Sequence, residues 1–293
     1  MDNPRFPPYA GLALAVLSVS FAAPLFRLAD AAPLTASFWR LAVAVALLFF
    51  FIDRSKWTTF TARDWKLVVG SGLALGLHFG LWVTSLFYTT VAASVSLVTL
   101  QGVFVAIGSH FLLGERLGNR AWIGVAIATV GASGIAALDA GAQDRTALLG
   151  DLLAFLGGLG SAAYMLVGRR LRQRHDTLTY AVPVYAVAAL SLLPAMLLLG
   201  QPVSPATSSN FLWFVLLAAV PMIGGHTLVN WCIKYIPAST AATWILLEPA
   251  GSTLLAWPLL GEVPHMVTVA GGALVLVGAY LVTSRKESLA SHP

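Results

Sequence analysis

The sequence predicts an all-α integral membrane protein. It has ten transmembrane helices, arranged as two inverted five-helix repeats around a central cavity. Three observations lead there. The chain of 293 residues is 58% hydrophobic and only 10% charged, with a mean hydropathy of +0.82, whereas a soluble domain carries roughly 25% charged residues. Apolar runs of ~20 residues, the length a helix needs to cross a bilayer, recur from end to end. The chain also repeats itself. Leu-Leu-Gly-Glu at 112–115 returns at 259–262, Gly124 matches Gly271, and Val130-Gly131-Ala132 matches Val277-Gly278-Ala279, all at an offset of 147. Internal repeats in a hydrophobic chain are a signature of transporter folds.

The spans run over 9–27, 35–52, 65–87, 91–113, 120–138, 147–168, 179–199, 211–233, 238–260 and 265–283. Helix-stopping residues punctuate the connections, among them Pro33, Gly114, Gly118, Gly141, Gly200, Pro202, Pro205, Pro237 and Pro264. The first span is read as a helix and not as a signal peptide, because its removal would leave the first half one helix short. With a cytoplasmic N-terminus, 14 of the 17 Lys and Arg residues fall inside, Arg27 and Arg145 fall outside, and Arg40 lies within a span. That asymmetry places both termini inside. It also accounts for the net charge of +5 without nucleic acid. Five spans per half is an odd number, so Glu115 and Glu262 face opposite sides and the halves are inverted. The single cysteine, Cys232, forms no intramolecular disulfide.

Polar side chains at mid-depth are the candidates for function, because an ionisable group there costs about 2.5 to 3.5 kcal/mol on insertion scales. In the third span Gly72, Gly76 and Gly80 form a small-residue ridge. His78 and Trp82 occupy a separate face, as cavity lining or as a hydrogen-bonded strut. Gln101 stands in the fourth span at the position equivalent to Glu248. Tyr164 in the sixth is either cavity lining or an aromatic packing residue. His226 and Asn230 in the eighth either line the cavity or bridge helices. In the ninth, Trp244 and Glu248 share a face with Ser252. Pro249 frees the carbonyl of Ile245 and kinks the helix. Glu248 either meets a cationic group or a proton, or holds helices together.

These residues resemble the drug/metabolite transporter superfamily of the EamA type. The features that carry the resemblance are Leu-Leu-Gly-Glu ending the fourth and ninth helices, Leu247-Glu248-Pro249 in the ninth, and Gly150-Asp151 opening the sixth. It implies two EamA-type repeats, residues 1–143 and 144–293. It also implies a cavity lined by helices 1, 3, 4, 6, 8 and 9, with helices 5 and 10 peripheral. The bacterial inner membrane is the location expected for such a protein. Gly102 departs from the proline common at that point in the first repeat, which questions a symmetric kink of the fourth helix. Arg40, in the outer part of the second span, resembles the arginine often seen in that helix of the family and reads as structural, snorkelling outward or paired with Asp151 or Asp30.

No P-loop, Gly-x-Ser-x-Gly or His-Glu-x-x-His motif is present, which argues against direct ATP drive and against the enzyme classes those motifs mark. A secondary active or facilitative transporter of a small metabolite, working by alternating access as an exporter, is the expectation that fits these residues best. An amino acid or a related zwitterionic or heteroaromatic solute suits the predicted cavity. The alternative is a divalent-metal or cationic-drug transporter using His78, His226 and Glu248. No cofactor, resident metal, nucleic acid or ATPase subunit is expected. The expected partners are a small-molecule substrate, with protons as a candidate coupling ion, and the lipid bilayer, for a monomer or a homodimer.

Overall fold

The computed structural model describes residues 6–113, 118–141, 144–172, 174–204, 207–235, 241 and 244–283. Glu115 of the first Leu-Leu-Gly-Glu lies outside them. So do Gly114, Pro205, Pro237, Arg5, Arg116, Arg285 and Lys286. Among the described residues there are helices and no strands.

α1 (Pro8–Ser20) and α2 (Ala22–Leu28) form one stretch interrupted at Phe21. α3 (Pro33–Phe49) follows, then a 3-10 turn at Arg54–Thr59, then α4 (Ala62–Ser85). α5 (Val91–Val98) and α6 (Gln101–Leu113) are separated by a turn at Thr99 and Leu100. α7 (Asn119–Gly141), α8 (Arg145–Arg172) and α9 (Thr177–Leu198) come next. α10 (Ser208–Leu217) continues through a π-helical segment, Ala218–Thr227, into α11 (Leu228–Cys232). α12 (Glu248–Leu260) and α13 (Met266–Thr283) close the described chain. Among the described residues, six helical stretches are long and apolar enough to cross a bilayer: Pro8–Leu28, Ala62–Ser85, Val91–Gly108, Arg145–Arg172, Thr177–Leu198 and Asn210–Cys232. Pro33–Phe49 and Met266–Val282 are shorter and also apolar.

Local chemistry sets the ends. Pro8 and Pro33 open α1 and α3, where a missing N–H costs nothing. Thr61 and Asp64 form a capping box at the start of α4. Gly261, at φ +70°, ends α12 in the left-handed conformation that a side chain resists. The chain then turns so that Glu262 reaches back to two other helices. Its carboxylate accepts from Arg27 Nη2 at 2.6 Å and from the Val91 backbone N–H at 2.9 Å. The second Leu-Leu-Gly-Glu is therefore a helix stop followed by a clasp across the ends of α2 and α5.

α7 lies against α13 along a seam where backbones nearly touch. A Cβ on Gly124 would meet Gly278 O at 2.5 Å, and one on Gly131 would meet Gly271 O at 2.5 Å. Gly124 and Gly271 are equivalent by the 147 offset, as are Gly131 and Gly278, so exchanging the copies turns one contact into the other. The flanking contacts obey the same exchange. Gly131 meets Val275 N and Gly278 meets Ala128 N, while Gly124 meets Val282 and Gly271 meets Ile135. Only residues without a Cβ permit this approach.

The Gly72, Gly76 and Gly80 ridge of α4 packs on α9, against Val187, Ala188, Ser191 and Leu192. The other side of α4 packs on α8. The largest apolar core lies among α2, α3, α4, α5, α9 and the α10 region. It includes Phe26, Phe79, Trp82, Tyr164, Tyr180 and Tyr185.

Candidate functional site

Helix interruptions from both halves frame the site. Pro24 opposes the carbonyl of Ser20, four residues back. That carbonyl accepts instead from Ser252 Oγ at 2.9 Å, tying the α1–α2 break to α12. The turn at Thr99 and Leu100 falls at the positions equivalent to the turn at Leu246 and Leu247. Gln101 and Glu248 each begin the helix after the turn. The hydrogen bonds repeat as well, Phe104 N–H to Leu100 O and Gly251 N–H to Leu247 O, both at 3.0 Å. The two breaks are symmetric although only the second carries a proline, so Gly102 does not prevent the first. Gln101 lies in a crevice with Thr99, Met165, Ile245 and Leu246.

His78 is buried and its Nδ1 lies 2.9 Å from Gly157 O. Its ring stacks on Trp82, with centroids 5.6 Å apart and planes 4° apart. Gly160 and Gly157 of α8 allow this, because Cβ atoms there would lie 2.9 Å from His78 N and 3.0 Å from Trp82 Cβ. His226 enters from the π-helical segment, which widens the α10–α11 stretch around Pro221; π segments of this kind often mark functional sites. The His226 ring is 6.5 Å from His78 and meets Phe79 edge-on at 5.4 Å.

Beside these rings lies a hydroxyl and amide network. Asn230 Nδ2 donates to Tyr164 OH at 2.8 Å and approaches Tyr185 OH at 3.5 Å. Tyr185 OH bonds Thr227 Oγ1 at 3.1 Å, and Tyr180 OH bonds Ser71 Oγ at 2.9 Å. Tyr164, Tyr180, Tyr185 and Asn230 are all buried.

Arg40 corrects the sequence-based expectation. Its side chain is 0% exposed and does not snorkel. Among the described residues it pairs with neither Asp30 nor Asp151, and Asp151 accepts from Thr89 Oγ1 at 3.1 Å. The guanidinium instead lies over Phe79 at 4.3 Å and Phe26 at 5.4 Å from the ring centroids. It is within electrostatic reach of Tyr185 and Glu248. None of its three nitrogens has a hydrogen-bond partner among the described residues. Glu248 is half-buried. Trp244 stands apart from the His78 stack: its ring is 6.4 Å from Tyr9, within a small cluster around Leu12, Cys232 and Ala241.

Polar ties close the helix ends on either side of these groups. At one end is the Arg27–Glu262 clasp. At the other, Arg172 donates to Asn230 O at 3.1 Å and to His175 O at 2.7 Å, and Lys56 pairs with Asp176 at 2.7 Å. Burial alone would raise the Asp176 carboxyl, but hydrogen bonds from Lys56 and Thr179 hold it down at about 2.

The EamA-like transporter family model matches the chain over residues 7–137 and again over 148–284. The chain belongs to the EamA-like transporter family. It is a multi-pass membrane transporter of a small molecule and not an enzyme. This EamA-like chain is 24% identical over 258 residues to the uncharacterized transporter YetK of Bacillus subtilis (strain 168), covering 86% of this chain and 78% of the relative. It is 25% identical over 252 residues to the pseudopaline exporter CntI of Pseudomonas aeruginosa (strain UCBPP-PA14), covering 85% of this chain and 86% of that one. A solved crystal structure shares the fold with a TM-score of 0.64 at 22% identity, covering 94% of this chain and 95% of the other.

Of the residues singled out in sequence, the fold gathers His78, Trp82 and His226 around Phe79 and joins Tyr164 to Asn230. Gln101 and Glu248 sit at the two helix breaks. Among the described residues no three His, Cys, Asp or Glu side chains stand close enough to hold one metal ion, so His78, His226 and Glu248 form no ligand set. Sequence reasoning missed Tyr180 and Tyr185 in α9 and the inward direction of Arg40. One signal was available for Arg40: it lies seven residues past Pro33, a depth from which a side chain reaches an interface poorly.

Proposed function

We propose that this protein is a secondary transporter that exports a small zwitterionic or heteroaromatic metabolite, an amino acid or a close relative, by alternating access. The observation that carries this reading is the meeting of the Phe26, Phe79 and Trp82 rings with buried His78, buried Arg40 and half-buried His226. Such groups are costly in a membrane unless they serve a ligand or an ion. The polar ties at both ends of the site suit a binding site that opens to one side at a time. Ten helices in two inverted repeats, 1–143 and 144–293, with both termini cytoplasmic, would relate the two ends. The self-exchanging α7–α13 seam and the matched breaks at Gln101 and Glu248 support that arrangement. The name of the Pseudomonas relative supports export.

The test begins with a thermal-shift screen of amino acids, nucleobases, vitamins and polyamines on purified protein. Counterflow of the stabilising compounds in proteoliposomes follows. Glu248→Gln should abolish counterflow or flatten its pH dependence while expression stays normal. Wild-type rates at every pH would remove Glu248 from the site.

A further inference from the structure

We infer that Arg40 is the carboxylate-binding residue of the central site, with the Trp82 indole N–H as a second donor and Glu248 facing the cationic end of the same ligand. The inference rests on the proposal above and narrows its substrate class to compounds carrying a free carboxylate beside an ammonium group.

The donor inventory points this way. Arg40 Nε, Nη1 and Nη2 and Trp82 Nε1 are all buried without an acceptor among the described residues. Both side chains border the same two rings: the guanidinium lies over Phe26 and Phe79, and the Trp82 ring meets Phe26 at 6.0 Å and Phe79 at 6.4 Å. A buried guanidinium needs a counter-charge and acceptors. Cation–π contacts supply part of the charge balance and none of the hydrogen bonds. A carboxylate supplies both, since its two oxygens match the guanidinium fork.

Glu248 adds the second half. Glu248 opens α12, which packs on α2, the helix whose Phe26 ring Arg40 lies over, and no carboxylate among the described residues accepts a hydrogen bond from Arg40. Arg40 on α3 and Glu248 at the start of α12 are thus of opposite sign and not bonded to one another. A zwitterion would answer both, its carboxylate on Arg40 and its ammonium toward Glu248. A purely cationic ligand would add to the Arg40 charge, and a purely anionic one would add to that of Glu248. An arginine kept only to hold helices together would be bonded to them, as Arg172 is to Asn230 O and His175 O.

The test uses full-length protein in detergent, with the L-amino acids, their carboxamides and their N-acetyl derivatives as probes. Binding is read by thermal stabilisation and by tryptophan fluorescence. In the wild type at least one amino acid should bind at least tenfold more tightly than its carboxamide. In Arg40→Met acid and amide should bind alike, and Arg40→Lys should recover part of the preference. Without ligand, Arg40→Met should melt at or above the wild-type temperature, because a buried charge without acceptors is removed. A markedly lower melting temperature, or loss of acid and amide binding together, would show a structural arginine and overturn the assignment. An acid preference that survives in Arg40→Met, or is absent from the wild type, also overturns it. Amino-acid counterflow separates the two ideas. Undiminished counterflow by Arg40→Met sinks the Arg40 assignment alone, whereas no binding and no counterflow of any amino acid by the wild type sinks both.

Discussion

The α7–α13 seam and the helix breaks of the candidate site both occupy positions the internal duplication relates, and they treat that relation differently. At the seam each glycine keeps its counterpart, and the contact maps onto itself when the copies are exchanged. In the site only the backbone breaks correspond. One carries Gln101 and the other Glu248, and Arg40 sits over Phe26 and Phe79 with no acceptor of its own. A contact that maps onto itself when the copies are exchanged constrains both copies at once, because a Cβ on either glycine strikes the other backbone. A side chain outside such a contact has no such partner and is free to differ. The seam is therefore a steric structure, and the site is a chemical one.

Substitution at the seam gives the largest expected effect. A Cβ at Gly278 would lie 2.5 Å from both Ala128 N and Gly124 O, and backbone atoms cannot withdraw without parting the helices. Gly278→Val should cost about 3 kcal/mol or more and reduce the yield of folded, monodisperse protein. Gly131→Val, at the equivalent position, should do the same. Unequal losses in size-exclusion yield would break the symmetry argument.

Asn230→Leu comes next and probes the site. It removes the donor to the buried Tyr164 hydroxyl, at a cost of about 1–3 kcal/mol in a thermal or denaturant melt. The Arg172 bond to Asn230 goes to the backbone and should survive. A rise in melting temperature would show that the network is held for function at the expense of stability, and so sharpen the contrast with the seam.

The helix ends should matter less than either region. Asp176 caps α9, so Asp176→Ala should cost about 1 kcal/mol. Its folded carboxyl sits at about 2, below the ordinary value, so its contribution is complete above about 4 and is lost as pH falls through 2. Melts of wild type and variant should differ by a constant amount from pH 7 to about 5 and converge below. A gap that widens in acid would refute the capping account. The smallest effect is expected for Arg27→Gln. The pair it breaks is 28% and 23% exposed, and such pairs contribute about 0–1 kcal/mol. Glu262 should still accept from Val91, leaving the melting temperature nearly unchanged.

Much of the candidate site was legible because burial in a bilayer makes polar residues conspicuous. His78 and Trp82, four apart, had to share a face of α4, and Gly72 and Gly76 had to share another. What helical spacing could not give was the neighbour each face meets. Trp244 shares a face with Glu248 by spacing, yet it lies beside Tyr9 because the chain turns at Leu246 and Leu247. Tyr180 and Tyr185 drew no notice because tyrosines in an apolar span are ordinary packing residues until a partner is seen.

By itself the sequence determined a helical membrane chain, the places of its apolar spans and an internal repeat, since hydropathy and residue identity are properties of the chain alone. Only the tertiary structure decided that Arg40 points inward to the rings of Phe26 and Phe79, that the π segment brings His226 to the same rings, and that the first helix break forms without a proline. Those outcomes depend on which helices lie alongside one another, and packing partners distant in the chain leave no mark in local periodicity.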